Sequence, residues 1–195
     1  MTQWDYPDGA TPLDPDEAEG LIPEHITRRG ELDEWEQRNI IAALAWLEKT
    51  GPTDILNETF VRELHRRMFN RVWRWAGTYR KSDKNIGGTW YQIAERLYNL
   101  CEDAKLWIEN GTVPPDEIAV RFHHRLVQIH PFPNGNGRHA RLMTDLLLEN
   151  VLGRPRFTWG GVNLANPGEV RERYISALQA ADNHDFQPLL DFARS

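Results

Sequence analysis

Cysteine is almost missing from this chain of 195 residues, where Cys101 stands alone. One thiol cannot close an internal disulfide, so stability must come from an apolar core, and a reducing cytoplasm is the expected setting. A long uncharged apolar run and a signal-peptide pattern are missing as well. That excludes a membrane span and predicts a soluble, unexported protein. There is no basic excess: 23 Lys and Arg stand against 29 Asp and Glu, a formal net charge of -6. General nucleic-acid binding asks for the opposite sign, so no direct nucleic-acid partner is expected. No internal repeat and no low-complexity tract occurs. The chain is instead rich in tryptophan, with eight, most of them on apolar faces and read mainly as core. The length fits one main core.

The chain is organised around His130-Pro-Phe-Pro-Asn-Gly-Asn-Gly-Arg-His-Ala-Arg141. This stretch joins an apolar helical run, Val120 to Ile129, to a second one, Ala140 to Leu152. Glycine permits positive φ and close backbone approach, so residues 134–137 can fold into a tight concave turn. Its N–H groups, with those opening the next helix, would converge on one point and attract phosphate. Arg138 and Arg141 are three apart and share a helix face, so both can reach one anion. His130 lies at the other lip, placed to take a proton from a hydroxyl.

These residues resemble the signature of the Fic family, His-x-Phe-x-(Asp/Glu)-Gly-Asn-Gly-Arg-x-x-Arg. His130, Phe132, Gly135, Asn136, Gly137, Arg138 and Arg141 match it. With each residue type at about 5%, seven fixed positions coincide on the order of once in 10^9 starts. The resemblance implies an all-α helical bundle with a small β-hairpin flap over the active site. It implies transfer of AMP from ATP to a Ser, Thr or Tyr hydroxyl of a target protein. His130 would be the general base. Asn134, Gly135, Asn136, Gly137, Arg138 and Arg141 would hold the nucleotide, with a side-chain donor added by Asn136. One position departs from the family: Asn134 replaces the acidic residue that holds Mg²⁺, and an amide oxygen binds that ion more weakly than a carboxylate.

The rest of the chain divides into an irregular arm (1–23), an N-terminal helical segment (24–56) and a core (57–195). In the arm, Thr11 to Glu17 suggests a short capped turn at most. Leu32, Trp35, Ile40, Leu44 and Leu47 recur at helical spacing over residues 24–50, and Gly51-Pro52 stops the run. Thr27 and Glu31 match the spacing of the inhibitory segment found in many Fic proteins, where a glutamate pairs with the second motif arginine. Glu31 is placed ahead of Glu36 for that role. Asn57 predicts a cap for a helix burying Phe60, Val61, Leu64 and Met68, with Arg62, Arg66 and Arg67 solvated. His65 reads as structural. Trp75-Ala-Gly-Thr-Tyr-Arg80 resembles the segment before the flap, which places Lys84, Asn85, Ile86, Gly87 and Gly88 in a hairpin that docks the target by strand addition. Helices are expected over residues 90–109, from Pro115 to Ile129 and from Pro167. Tyr174 or Asn166 is a candidate contact for adenine.

The short length, Thr27 with Glu31, and Asn134 also resemble the branch called mobile mystery protein B, which is often found beside a helix-turn-helix partner. Two other classes of function stay open. One is a nucleotide-binding regulator impaired in catalysis. The other is a toxin of the Fic/Doc type that transfers another phosphate-containing group under control of a partner antitoxin.

Overall fold

A computed structural model describes residues 14–26, 28–51, 54–161 and 167–195. Eight helices build it: α1 (Pro15–Ala18), α2 (Arg29–Thr50), α3 (Glu58–Phe69), α4 (Ile93–Asn110), α5 (Pro115–Ile129), α6 (Asn136–Asn150), α7 (Pro167–Asp182) and α8 (Gln187–Arg194). A 3-10 turn, Trp90–Gln92, opens α4. The described residues contain no strand, only an isolated antiparallel bridge between Leu21 and Trp73.

Local chemistry accounts for the boundaries. Asn57 accepts the Phe60 N–H at 2.8 Å, which satisfies one of the unpaired donors at the start of α3. Gly111, in the left-handed region at φ 61, ends α4. Pro115 opens α5 where its missing N–H costs nothing. The expected helix over 24–50 begins later, at Arg29, and α2 ends at Gly51 with φ 71.

Helix α6 forms the centre. Met143, Leu147 and Leu148 are fully buried, and α5 packs along it. One core cluster joins α2 to α6 through Leu32, Leu64, Phe69, Leu97, Phe122 and Phe132. A second cluster carries α7 and α8 on the outer side of α5 and α6, around Leu148, Tyr174, Leu189 and Phe192. Arg194 closes that side with a fork on both oxygens of Asp116, at 2.7 and 2.8 Å. The guanidinium holds the Asp116 carboxyl below its usual range. Among the described tryptophans only Trp73 is fully buried; Trp35, Trp46, Trp75 and Trp107 pack half-buried against the core, and Trp90 is exposed.

Residues 14–23 of the arm lie against the body and include a short helix. Asp14 and Glu17 cap the short α1, with the Asp14 N–H donating to Glu17 Oε2 at 2.8 Å. The Ile22 N–H donates to Val72 O and the Arg74 N–H to Gly20 O, both at 2.8 Å. Trp75 Nε1 donates to Glu17 O at 2.9 Å.

The hairpin expected over residues 81–89 is not formed; this segment is a series of bends. Two of its carbonyls, at Ser82 and Gly88, are taken by the buried Arg80. Arg80 donates from Nη1 to Ser82 O, from Nη2 to Gly88 O and from Nε to His130 O. A guanidinium supplies five donors in a rigid fork, so it can replace the ladder of a hairpin.

Candidate active site

The loop of residues 130–135 turns the chain from α5 into α6. His130 ends α5 in the left-handed region at φ 50, ψ 60, an uncommon conformation for a residue with a side chain. Phe132 is fully buried, which contributes roughly 1.5–3 kcal/mol and fixes the depth of the loop. The Asn136 side chain closes a ring on that residue: Oδ1 accepts the Phe132 N–H at 3.0 Å, and Nδ2 donates to Phe132 O at 2.8 Å. The side-chain donor expected for phosphate at Asn136 is therefore committed to the loop itself. Gly135 caps α6 at φ 79, where a Cβ would stand 2.6 Å from the Phe69 ring. Above Gly137 the space is open among the described residues. The N–H groups of the first turn of α6 and the positive end of its dipole are thus available to an anion.

His65, read from sequence as structural, supports this loop from below. Its ring stacks on Phe132 with centroids 3.7 Å apart. Gly77 N–H donates to Nδ1 at 3.0 Å, so Nε2 carries the proton and donates to Asn134 O, also at 3.0 Å. Full burial holds the His65 pKa well below 6.5. A proton on Nδ1 would break the Gly77 bond.

His130 is 7% exposed. Burial lowers its pKa to about 4, and the neighbouring Arg80 and Lys84 charges push the same way. Near neutral pH the imidazole is therefore uncharged and able to accept a proton. Gly87 lies directly against it, since a Cβ there would meet His130 Cβ at 2.9 Å. Segment 81–89 thus touches the base at Gly87, although not as a hairpin.

The two motif arginines have different surroundings. Arg138 Nη2 lies 2.8 Å from Glu36 Oε2, and its guanidinium sits 5.0 Å from the centre of the Phe69 ring. Glu36 is buried and also accepts from Trp73 Nε1 at 2.7 Å. Arg141 pairs with no carboxylate among the described residues and lies over the Tyr174 ring at 4.6 Å. Tyr174 is 9% exposed and shares a hydrogen bond of 2.8 Å with His123 Nε2. His123 Nδ1 lies 3.3 Å from Thr144 Oγ1, which donates to Ala140 O at 2.8 Å. This chain of contacts runs from the second arginine back into α6.

Residues 55–148 match the sequence model of the Fic/DOC family. Over these residues the chain is similar to Fic proteins. It is 29% identical over 136 residues to protein adenylyltransferase Fic of Drosophila melanogaster, a match covering 68% of this chain and 26% of that one. The match thus spans about a quarter of the curated relative. The fold of Fic-1 from C. elegans superposes with a TM-score of 0.67 at 26% identity, covering 91% of this chain and 51% of that one. BepC of Bartonella tribocorum, solved with bound AMPPNP, gives a TM-score of 0.69 at 16% identity, covering 93% and 97%.

Three of the candidate residues make contacts of their own in the structure. Glu31 bonds the Arg28 N–H at 3.3 Å at the start of α2, and the glutamate that holds a motif arginine is Glu36. The Lys84 side chain is 3% exposed, paired to Glu17 and to Asp14 at 2.8 Å, which leaves only its backbone for docking a target. Tyr174 is buried, packed against Arg141 and hydrogen-bonded to His123. Thr27 and Asn166 lie outside the described residues. Asn85, Ile86 and Gly88 surround Gly87 in the bends over His130, with Ile86 37% exposed.

The residues present do not fit a protein-held Mg²⁺. Asn134 offers a neutral amide oxygen that already accepts the Gly135 N–H at 2.6 Å. The described residues contain no cluster of three or more His, Cys, Asp or Glu able to hold a metal ion. From the sequence Arg80 has no role of its own, yet its guanidinium joins the covering segment to His130 O. An arginine closing a stretch of Trp, Gly and Tyr is the signal that could have found it.

Proposed function

We propose that this chain transfers AMP from ATP to a Ser, Thr or Tyr hydroxyl of a target protein. The reading rests on one observation: an uncharged, nearly buried imidazole stands at the rim of a backbone anion seat flanked by two arginines. In the reaction the target oxygen attacks the α-phosphorus, the bond to the departing pyrophosphate breaks, and the hydroxyl proton passes to His130. The N–H groups opening α6 and the side chains of Arg138 and Arg141 balance the phosphate charge. Phe132, Asn136 and His65 hold the loop still. The named adenylyltransferase relatives support the same reaction.

Restraint by an N-terminal glutamate belongs to the proposal, with Glu36 in the role. A carboxylate on Arg138 removes a donor that a triphosphate would otherwise use. A second reading, a nucleotide-binding regulator with weak or no transfer, is favoured by Asn134, which brings no charge to a metal. The setting that suits either reading is a reducing cytoplasm.

Incubation of the protein with lysate and α-labelled or γ-labelled ATP separates these readings. Label from α-labelled ATP on protein, absent with His130→Ala, is the expected result. Transfer of γ-label alone would replace AMP transfer with phosphate transfer. ATP binding with neither label transferred, even in Glu36→Gln, would establish the regulator.

A further inference from the structure

We infer that a small cleft beside His130, bounded by Arg96, receives an acidic side chain of the target segment. The inference rests on the reading that a protein hydroxyl is the acceptor, and it names the sequence class of that protein. The cleft measures about 90 Å³ and is lined by Arg96, Asn99, Arg125, Gln128 and Ile129. Ile129 directly precedes the base. The half-buried Arg96 guanidinium lies over Gly88, where a Cβ would overlap Nη1. Gly87, the next residue, touches His130. The base, the covering segment and this arginine therefore share one small neighbourhood.

The other polar groups of the cleft are largely spoken for. Arg125 is neutralised by Asp103 at 2.5 Å and lies 5.7 Å from the centre of the Trp107 ring. Gln128 Nε2 donates to Asp182 Oδ1 at 2.7 Å. No carboxylate among the described residues pairs with Arg96, whereas Arg62, Arg66, Arg67, Arg121 and Arg138 each have one. A forked donor without its carboxylate, with the Asn99 amide beside it, is built to recognise an Asp or Glu side chain. Trp90 and Tyr91, 44% and 69% exposed at the end of the covering segment, offer apolar area to the residues around it. The chain as a whole carries a net charge of -6 and repels acidic peptides, so a preference for acid can arise only from a local site.

The test uses two fluorescein-labelled peptides without nucleotide, one with Glu on both sides of a single Ser and one with Lys in those places. Anisotropy at low salt is expected to show the Glu peptide binding about tenfold more tightly. Arg96→Gln should abolish the preference, Arg96→Glu should reverse it, and His130→Ala should leave it unchanged. Equal binding, tighter binding of the Lys peptide, no binding of either, or a preference that survives both Arg96 variants overturns the inference. Adding α-labelled ATP to the same peptides tests the reaction separately: an acid preference with no label on either peptide sinks AMP transfer and leaves the cleft standing.

Discussion

Glu36 Oε2 lies 2.8 Å from Arg138 Nη2, and the other carboxylate oxygen accepts from Trp73 Nε1 at 2.7 Å. One buried carboxylate therefore joins α2, the segment before the covering loop, and the first motif arginine. Glu36→Gln keeps an acceptor for Trp73 and removes the charge that holds Arg138. The expected outcome is a KM for ATP lowered about threefold to tenfold, with kcat raised or unchanged. Glu31→Gln, at the start of α2 where Glu31 accepts the Arg28 N–H, should leave both within about twofold. Steady-state transfer kinetics on the two variants decide the matter; a larger effect at Glu31 would return the role to that residue.

His65 is the second test, because it holds the loop without facing the reaction. His65→Leu leaves the Gly77 N–H and the Asn134 carbonyl without their partner and weakens the stack on Phe132. Losing the two bonds should cost roughly 2–5 kcal/mol in urea unfolding. His65→Gln, able to restore one of the bonds, should recover part of it. In whichever variant stays folded, loosening of residues 132–137 should raise the KM for ATP.

Acid should weaken the fold through the buried histidines. His123 titrates near 3, and His130 and His139 near 4, each lowered first by burial. His65 is lowered in the same direction. Unfolded, these rings bind protons near pH 6.5, so below that value the unfolded chain takes up more protons than the folded one. Stability is thus full above about pH 6.5 and is lost as pH falls toward 3–4, at up to about 1.4 kcal/mol per pH unit for each ring. Urea midpoints measured from pH 8 to 4 should trace that loss. The limb of the transfer rate that reports His130 should rise through about pH 4 and be flat near neutrality.

Asn134→Asp addresses the metal. Aspartate keeps an acceptor for the Gly135 N–H, now 2.6 Å from the amide oxygen, and adds a charge at the N-terminus of α6. The fold should be unharmed, and transfer should become more dependent on Mg²⁺ and faster by about tenfold. A variant that folds but shows no gain with Mg²⁺ would mean that position 134 does not face the metal.

Much of the site can be read from the chain alone. The alternation of Gly and Asn after His130 dictates a turn feeding a helix, and the spacing of Arg138 and Arg141 puts both on one face, because these are local properties of backbone and helix geometry. Helix starts at Asn57 and Pro115 and the stop at Gly111 follow from capping and φ preferences in the same way. The replacement of a carboxylate by Asn134 is also a fact of sequence. Only the tertiary structure decided which distant groups meet these residues. Glu31 and Glu36 are both acidic and lie on one helix, yet five residues turn it by about 140°, so one carboxylate stays at the start of α2 while the other enters the core beside Arg138. Segment 81–89 has the composition of a hairpin, but the carbonyls of Ser82 and Gly88 bond to Arg80, and which donor wins is a matter of packing that no local pattern contains. Lys84 ends buried for the same reason: the carboxylates that bury it come from α1, nearly seventy residues away in the chain and in contact with it only once folded.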